Sequence, residues 1–328
     1  MRLSNENRTL ASSMNASAAN RAGSILSRFA VAALAAVPVL WVVPGRADQS
    51  AAGGGPPVVT IRSTSGALTI SGGETSVRIR SGAPNATFGR FVVNSNNRRV
   101  QLPRTGAMRR TFAGLRSLRL PARRFELPAA LEGRQGVAIG NPGGDMNVGV
   151  PQRVGALFVN AGGSDVELSN IRGPYVIQST GGAVRLHNVF GRGLIRTLNG
   201  DIDLTGVGGN VRVETAAGNV SAHPSMAERV EITTGTGAID WTFGRLGSGV
   251  YRFASASGLI RIEVRPGAGA FIDAQSDTGT VTNGLDPLFG QVRFSTPHAV
   301  SLQIGAGGPE ITAYSKNGSV ILVPVGGR

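Results

Sequence analysis

Apolar and polar residues follow a twelve-residue pattern that recurs along most of this chain. Two short runs of alternating apolar residues are separated by a serine or threonine and then a glycine. One copy runs from Val211 to Val220 around Gly218, and the next runs from Val230 to Trp241. Alternating apolar runs that end at turn glycines are typical of β-strands. The pattern therefore predicts an all-β fold built from short strands.

The recurring glycines give the length of one repeat. They are Gly66, Gly163, Gly182, Gly200, Gly218, Gly237, Gly258, Gly279 and Gly318. From Gly163 onward the spacings are 19, 18, 18, 19, 21 and 21 residues, followed by one of 39. We interpret the last spacing as two repeats in which Ala299 replaces a glycine. The first repeat is predicted at residues 59–70, and a second begins with Val77, Ile79 and Ser81. A constant spacing of about 20 residues indicates a repeat architecture.

Charges at the outward positions favour a parallel β-solenoid over a chain of hairpins. The residues six positions before successive glycines alternate in sign: Arg212, Glu231, Arg252, Asp273 and Arg293. Two further opposite-charge pairs are Arg185 with Asp203 and Asp240 with Arg261. Opposite charges stabilise each other on adjacent strands, about 4.8 Å apart, and much less at twice that distance. The sequence therefore predicts a parallel β-solenoid, or β-helix, of about 18–21 residues per coil with two short strands per coil.

The position three residues before each glycine carries a small polar side chain. These residues are Ser63, Asn160, Ser179, Thr197, Thr215, Thr234, Ser255, Ser276 and Ser315. The alternation points this position into the core. A buried hydroxyl needs a hydrogen-bond partner, and the backbone of the neighbouring turn can supply one. We therefore predict a structural ladder at the corner of the solenoid rather than a ligand-binding face.

The N-terminal residues have the features of an export signal. Residues 1–28 carry four arginines, an apolar run follows at 29–43, and small residues precede Asp48. This order matches a secretory signal peptide, which we place at 1–47, with Met1 or Met14 as the start. A flexible linker at 48–57 and a β-solenoid, adhesin-like domain at 58–328 follow. We expect an exported protein in the periplasm, at the cell surface or outside the cell, without a transmembrane segment after cleavage of the signal.

The positive charge is concentrated in one segment. The chain has a net charge of +14, and residues 98–134 contain ten arginines and only two glutamates. Clustered like charges indicate an anionic partner that compensates them. We predict that this basic insertion, at about 98–155, contacts an anionic glycan or envelope surface, and not nucleic acid because stacking aromatic residues are sparse there. The candidate anion-binding residues are Arg98, Arg99, Arg104, Arg109, Arg110, Arg116, Arg119, Arg123 and Arg124.

The alternative role for the insertion is to cover the solenoid. The pattern places an apolar strip on the outer face, formed by Leu157, Val159, Val176 and Leu194. An exposed apolar strip marks an interface. Since the insertion directly precedes these strands, we expect it to pack Phe112, Leu115 and Leu118 on the strip. Both roles stay open at this point.

Candidate catalytic groups are few. The three histidines, His187, His223 and His298, have no metal-ligand spacing, and the absence of cysteine excludes disulfides and thiol chemistry. Asp201 and Asp203 share an outward face and could pair as acid and base. However, Asp203 has Arg185 as a stacking partner and Asp201 flanks a turn. We therefore assign no catalytic, metal-binding or cofactor-binding residue and expect no cofactor.

Residues 199–204, Asn-Gly-Asp-Ile-Asp-Leu, and 209–215, Gly-Asn-Val-Arg-Val-Glu-Thr, carry a resemblance to a known family. They resemble the bacterial putative-adhesin family with β-strand repeats, whose members are exported domains of unknown function. The resemblance covers about residues 156–283. It implies an exported β-solenoid-like domain at the cell envelope and supplies no catalytic residues, and the basic insertion departs from the family repeat.

The combined expectation is a non-enzymatic, envelope-associated adhesion or scaffold module. It would contact an anionic surface polymer or a protein partner. The alternative is a polysaccharide lyase or hydrolase on a parallel β-helix, since such folds also carry those enzymes.

Overall fold

The computed structural model describes residues 55–81, 85–93, 99–101, 124–126, 129–244, 246–265, 267, 269–285 and 290–325. A single 3-10 turn in this part of the chain spans Ala129–Leu131. The strands are β1 (Val58–Ser63), β2 (Ala67–Gly72), β3 (Arg78–Ser81), β4 (Thr87–Val92), β5 (Arg99–Gln101), β6 (Arg124–Glu126), β7 (Gln135–Asn141), β8 (Met146–Val150), β9 (Ala156–Ala161), β10 (Asp165–Ser169), β11 (Tyr175–Ser179), β12 (Val184–His187), β13 (Phe190–Thr197), β14 (Ile202–Thr205), β15 (Gly208–Thr215), β16 (Val220–Thr234), β17 (Ile239–Phe243), β18 (Val250–Ser255), β19 (Ile260–Val264), β20 (Ala270–Ser276), β21 (Val281–Asn283), β22 (Gly290–Thr296), β23 (Ala299–Ile304), β24 (Glu310–Ser315) and β25 (Val320–Pro324).

Most strands belong to two sheets, which we call sheet A and sheet B. The strand order in sheet A is β4-β7-β1-β9-β11-β13-β15-β16-β18-β24-β20-β23-β22. The order in sheet B is β3-β8-β2-β10-β12-β14-β16-β17-β19-β25-β21. The long strand β16 runs through both. In the described strands of the two sheets, only pairings at the sheet ends are antiparallel, namely β4–β7, β3–β8, β20–β23 and β22–β23. The chain is thus all-β, with an extensive and mostly parallel sheet.

Neighbouring repeats pair in register in the middle of the structure. Ile177 lies opposite Ile195, and Ile195 lies opposite Val213. The predicted cross-strand neighbours Arg185 and Asp203 are also opposite each other, as are Asp240 and Arg261. Because side chains alternate along a strand, one register aligns a whole inward row. The predicted parallel alignment of neighbouring repeats is confirmed for these strands.

The apolar residues of the repeats fill the space between the two sheets. Sheet A contributes fully buried side chains such as Ile195 and Val213, and sheet B contributes Ile202 and Leu204. An aromatic cluster of Trp241, Phe243, Tyr251 and Phe253 adds to this core, with ring centroids 4.9–6.4 Å apart. Alternate side chains of each strand therefore build one continuous core.

The repeats do not stack strictly in sequence order at either end. The repeat β1–β2 lies between β7–β8 and β9–β10, and β24–β25 lies between β18–β19 and β20–β21. The prediction of an alternating charge row is therefore wrong beyond Arg252. Arg252 and Asp273 both lie opposite Thr312 and are two strands apart.

Two predicted repeats are antiparallel elements instead. The 39-residue interval contains the hairpin β22–β23, so Ala299 does not replace a repeat glycine but begins β23. Likewise, β3, which contains Ile79 and Ser81, pairs antiparallel with β8.

Strands β7 and β8 lie within residues 98–155, yet they join the parallel stack beside β1 and β2. The stacked strands therefore resume at Gln135, earlier than expected.

The repeat around Gly163 is displaced by one residue from the glycine count, because Ser164, and not Gly163, takes the corner position that Gly66 and Gly182 occupy. Val159 lies opposite Ile61 and Ile177, and Leu157 lies opposite Tyr175, so both face the core. The prediction that Leu157 and Val159 face outward is wrong. Phe158 faces outward in their place, beside Val176. The same shift puts Ala161 rather than Asn160 in the row of small polar residues.

The other members of this row form the predicted corner ladder. Thr197, Thr215, Thr234, Ser255 and Ser315 are fully buried. The hydroxyls of Thr197 and Thr215 lie 3.0 Å apart, and the Thr197 hydroxyl donates to the Gly200 carbonyl at 3.2 Å. The Ser315 hydroxyl donates to the carbonyl of Gly258 at 3.0 Å and accepts from the amide of Gly318 at 2.9 Å. The hydroxyls therefore pair with the turns, as buried polar groups require.

No helix in the described ranges is long and apolar enough to cross a membrane.

Candidate functional site

The predicted anion-binding arginines lie mostly outside the described residues. This holds for Arg98, Arg104, Arg109, Arg110, Arg116, Arg119 and Arg123. Arg99 and Arg124 belong to β5 and β6, which form a separate two-stranded antiparallel sheet in which Arg99 lies opposite Glu126. An anionic contact by this segment stays a prediction. Phe112, Leu115 and Leu118, predicted to cover the apolar strip, also lie outside the described residues.

The apolar strip on the outer face of sheet A is covered from within the chain. Its outward residues include Phe158, Val176 and Leu194, which are 5%, 2% and 4% exposed. They cluster with Val93 and Leu131, from the two sides of the basic segment. Intramolecular cover of Val176 and Leu194 is confirmed, with Val93 and Leu131 as described partners.

The candidate acid–base pair Asp201 and Asp203 has structural partners. One carboxylate oxygen of Asp201 accepts the backbone amide of Asn219 at 2.8 Å. Asp145, Asp165 and Asn219 make the same contact with the amides of Ala67, Ala183 and Ala238. Asp203 lies opposite Arg185 and accepts a hydrogen bond from the hydroxyl of Thr205 at 3.4 Å. Asp201 is therefore one member of a ladder that ties neighbouring turns together.

The histidines lie in separate places and make local hydrogen bonds. His223 Nδ1 is 2.7 Å from the hydroxyl oxygen of Thr242, and His298 Nδ1 is 2.6 Å from the carbonyl oxygen of Gly279. His187 Nε2 is 3.1 Å from the side-chain nitrogen of Asn188. Within the described ranges, no three histidine, aspartate or glutamate residues converge on a position that could hold a metal ion.

Ion pairs cross the outer face of sheet A between adjacent strands. Arg212 Nη2 is 2.8 Å from a carboxylate oxygen of Glu231, which confirms the first predicted charge pair. Arg196 of β13 and Glu214 of β15 are joined at 3.0 Å, with side chains only 5% and 1% exposed. Sequence reasoning missed this buried pair, although its 18-residue spacing equals the repeat. Removing one partner of a buried pair leaves an uncompensated charge, so substituting either residue alone should destabilise the fold.

A groove on the outer face of sheet A, near its C-terminal end, offers the site with the clearest binding features. The outward residues of β20 and β24 line it on one side, and those of β22 and β23 line it on the other. Its volume is about 650 Å³. An adjoining recess of about 330 Å³ shares Asp273 and Ser301 with it and extends to Phe271 and Arg293. We call the two together the C-terminal groove.

Aromatic and polar side chains converge on the C-terminal groove. Tyr314 donates its hydroxyl to the Asp277 carboxylate at 2.6 Å. Burial, together with that hydrogen bond and the negative charge of Asp277, raises the pKa of Tyr314 to about 12. Phe294 lines the groove while 54% exposed. The guanidinium of Arg293 lies 4.9 Å from the ring centroid of Phe271.

Sequence reasoning did not find this groove because it depends on the changed strand order. It forms only because β24 lies between β18 and β20, and because β22–β23 is a hairpin on the other edge of β20. The sequence pattern treated Asp273 and Arg293 as members of a charge row. No sequence signal marked Phe294, since Arg293 was placed at an outward position and alternation then directs Phe294 towards the core.

Comparison with known proteins gives one family. The family profile described as "Toastrack DUF4097" matches residues 60–318. No curated protein matches the chain. Among solved structures, a "putative cell adhesion protein" from Clostridium sporogenes is similar over 82% of this chain and 92% of its own, at 10% identity and a TM-score of 0.21.

Proposed function

The chain belongs to the Toastrack DUF4097 family, and within that family we propose that it acts as a non-enzymatic adhesion or scaffold module. We infer an exported, envelope-associated β-solenoid with coils of 18–21 residues and two strands per coil. Its partner is an anionic surface polymer or a protein.

The observation that carries this proposal is the structural use of the outward carboxylates. Asp201 and its equivalents accept backbone amides of the next repeat at 2.8 Å, and Glu214 and Glu231 hold arginines of the preceding strand. A glycosidase needs two carboxyl groups free to act on one bond. Asp201, one of the two candidates from the sequence, is committed to holding neighbouring repeats together, which favours binding over lyase or hydrolase activity.

The basic segment supplies the charge for an anionic partner. Residues 98–134 carry ten arginines against two glutamates. Guanidinium groups bind carboxylates and phosphates bidentately and remain charged at all physiological pH values. Exposed charges are screened over about 8–10 Å at 0.1–0.15 M salt, so binding through this segment is strongly salt-dependent.

The test uses the mature chain from Asp48 in a pull-down against fractionated envelope and anionic polysaccharides across a salt series. One variant replaces the nine candidate arginines with glutamine, and a matched variant replaces them with lysine. We expect salt-sensitive binding that glutamine abolishes and lysine partly retains. Equal binding by all three proteins, or binding by none, contradicts an anionic contact through this segment.

A second assay addresses the enzymatic alternative. The mature chain is incubated with the polysaccharides it binds, and new reducing ends are measured. We expect none. Cleavage that disappears in an Asp201→Asn/Asp203→Asn variant would overturn the non-enzymatic proposal.

A further inference from the structure

The C-terminal groove has a shape suited to an extended ligand. Its two parts share Asp273 and Ser301, so they form one continuous trough along the outer face of sheet A. The larger part, about 650 Å³, lies within the roughly 300–1,000 Å³ typical of ligand sites. The trough crosses β24, β20, β23 and β22, and its lining residues all lie between Phe271 and Tyr314 in the sequence.

An irregularity in β22 aims an aromatic ring at this trough. The register between β22 and β23 shifts between Val292 and Phe294, so that Arg293 is the extra residue. A β-bulge of this kind re-aims a side chain. As a result, Phe294 lies opposite the outward residue Ser301 and lines the groove, whereas Val292 lies opposite the buried Leu302 and does not.

Phe294 presents an aromatic surface that no other part of the described structure covers fully. Its side chain is 54% exposed, although large aromatic residues are mostly buried. Phe271 differs, because the guanidinium of Arg293 lies over its ring at 4.9 Å. Phe294 is therefore the surface on which an apolar ligand face can stack.

The polar residues of the groove both donate and accept hydrogen bonds. Gln275, Ser301 and Thr312 can do either, while Asp273 and Asp277 accept when ionised. The hydrogen bond from Tyr314 holds Asp277 in place. A ligand matched to such a lining carries hydroxyl groups, which themselves donate and accept.

The charges of the groove disfavour an acidic ligand. Its lining contains the carboxyl groups of Asp273, Asp277 and Glu310 and the guanidinium of Arg293. These charges sum to a local excess of negative charge in a chain whose net charge is +14. A polyanion is repelled here, in contrast to the basic segment.

We propose that the C-terminal groove binds a linear, neutral saccharide. One sugar ring stacks its C–H face on Phe294, and its hydroxyls bond to Asp273 and Gln275. A sugar ring has both an apolar face and a polar edge, which matches a site with one aromatic surface beside polar groups. The site goes beyond the proposed anionic contact, since its ligand and its residues are different.

The test is calorimetric titration of the full mature chain with neutral hexasaccharides of glucose and N-acetylglucosamine in different linkages. Oligogalacturonate and spermine serve as the acidic and cationic probes. We expect at least one neutral hexasaccharide to bind. Phe294→Ala should weaken that binding by about tenfold, and Phe294→Trp should retain it.

Val292→Ala is the matched control, because Val292 is 50% exposed on the same strand but lies outside the groove. It should bind like the parent chain. The proposal is overturned if none of the neutral hexasaccharides binds, if Phe294→Ala binds as well as Val292→Ala, or if only spermine or oligogalacturonate binds at the groove. The variant in which glutamine replaces the nine candidate arginines should keep saccharide binding. A failure of the anionic-contact proposal is therefore distinguishable from a failure of the saccharide proposal.

Discussion

A methyl group added at Gly182 tests how tightly the repeats approach one another at the glycine corner. A Cβ atom there would lie 2.7 Å from the backbone nitrogen of Asp165 and even closer to the carbonyl group of Ser164. Ordinary contacts of carbon with other heavy atoms are about 3.5–4.0 Å. Because the obstructing atoms are backbone, the two turns must separate by roughly 1.5 Å to accept alanine.

The cost follows from the hydrogen bonds that cross this corner. The amide of Thr180 donates to the Gly162 carbonyl at 2.9 Å, and the amide of Val166 donates to the Ala183 carbonyl at 2.8 Å. The amide of Ala183 also donates to Asp165 at 2.8 Å. A separation of roughly 1.5 Å takes such bonds beyond their normal range. Losing two or three bonds of about 1 kcal/mol each predicts a destabilisation of about 2–3 kcal/mol.

Gly181→Ala is the matched control, since the two glycines are adjacent in the same turn. The nearest atom to its new Cβ is the Cα of Gly163 at 4.0 Å, so this substitution should be neutral or stabilise by about 0.4–1 kcal/mol. Urea unfolding followed by circular dichroism should separate the two midpoints by about 1 M, given a slope of about 3 kcal/mol/M. Equal midpoints for the two variants would refute the close-approach argument.

Two further predictions concern tyrosines. Tyr175 is fully buried, and its hydroxyl has no hydrogen-bond partner in the described structure. Tyr175→Phe should therefore raise the free energy of unfolding by about 1 kcal/mol. A urea midpoint lower than that of the parent chain would contradict this. Burial, with the contact to Asp277, raises the pKa of Tyr314 to about 12 from 10.0. The folded state thus holds a proton that the unfolded state releases, so the contribution of this group is complete below about pH 10 and is lost as the pH rises towards 12. Absorbance titration at 295 nm of the folded chain, compared with Tyr314→Phe, should show this late ionisation; one that is complete by pH 10 would contradict it.

Local pattern was enough to predict the strands, the repeat length and the direction of most side chains. The hydroxyls at Thr197 and Thr215 and the pairing of Asp240 with Arg261 all follow from alternation along a strand and from a constant spacing. The candidate site could not be predicted in the same way. The groove brings Asp273, Phe294 and Tyr314 together. Their spacings of 21 and 20 residues match the repeat, but the strands that carry them lie in the order β24, β20, β23 and β22, which the spacing does not give.

The glycine spacing also misplaced side chains where the corner residue of a repeat is not a glycine. Ser164 takes the corner position next to Gly163, so counting from Gly163 exchanged the predicted directions of Phe158 and Val159. Period-two alternation makes a one-residue shift reverse every side chain of a strand. Pairing partners, and not the spacing to a glycine, decide which side chain enters the core.

The sequence by itself determined that this chain forms parallel strands with an inward apolar row and a buried polar corner, because those features depend only on the alternation of side chains and the repeat spacing. The tertiary structure alone decided the order of the repeats at the two ends, with β1 placed between β7 and β9 and β24 between β18 and β20. Similar repeats offer similar apolar rows to any neighbour, so local pattern does not distinguish one stacking order from another. The outer-face groove exists only in the order that the whole chain adopts.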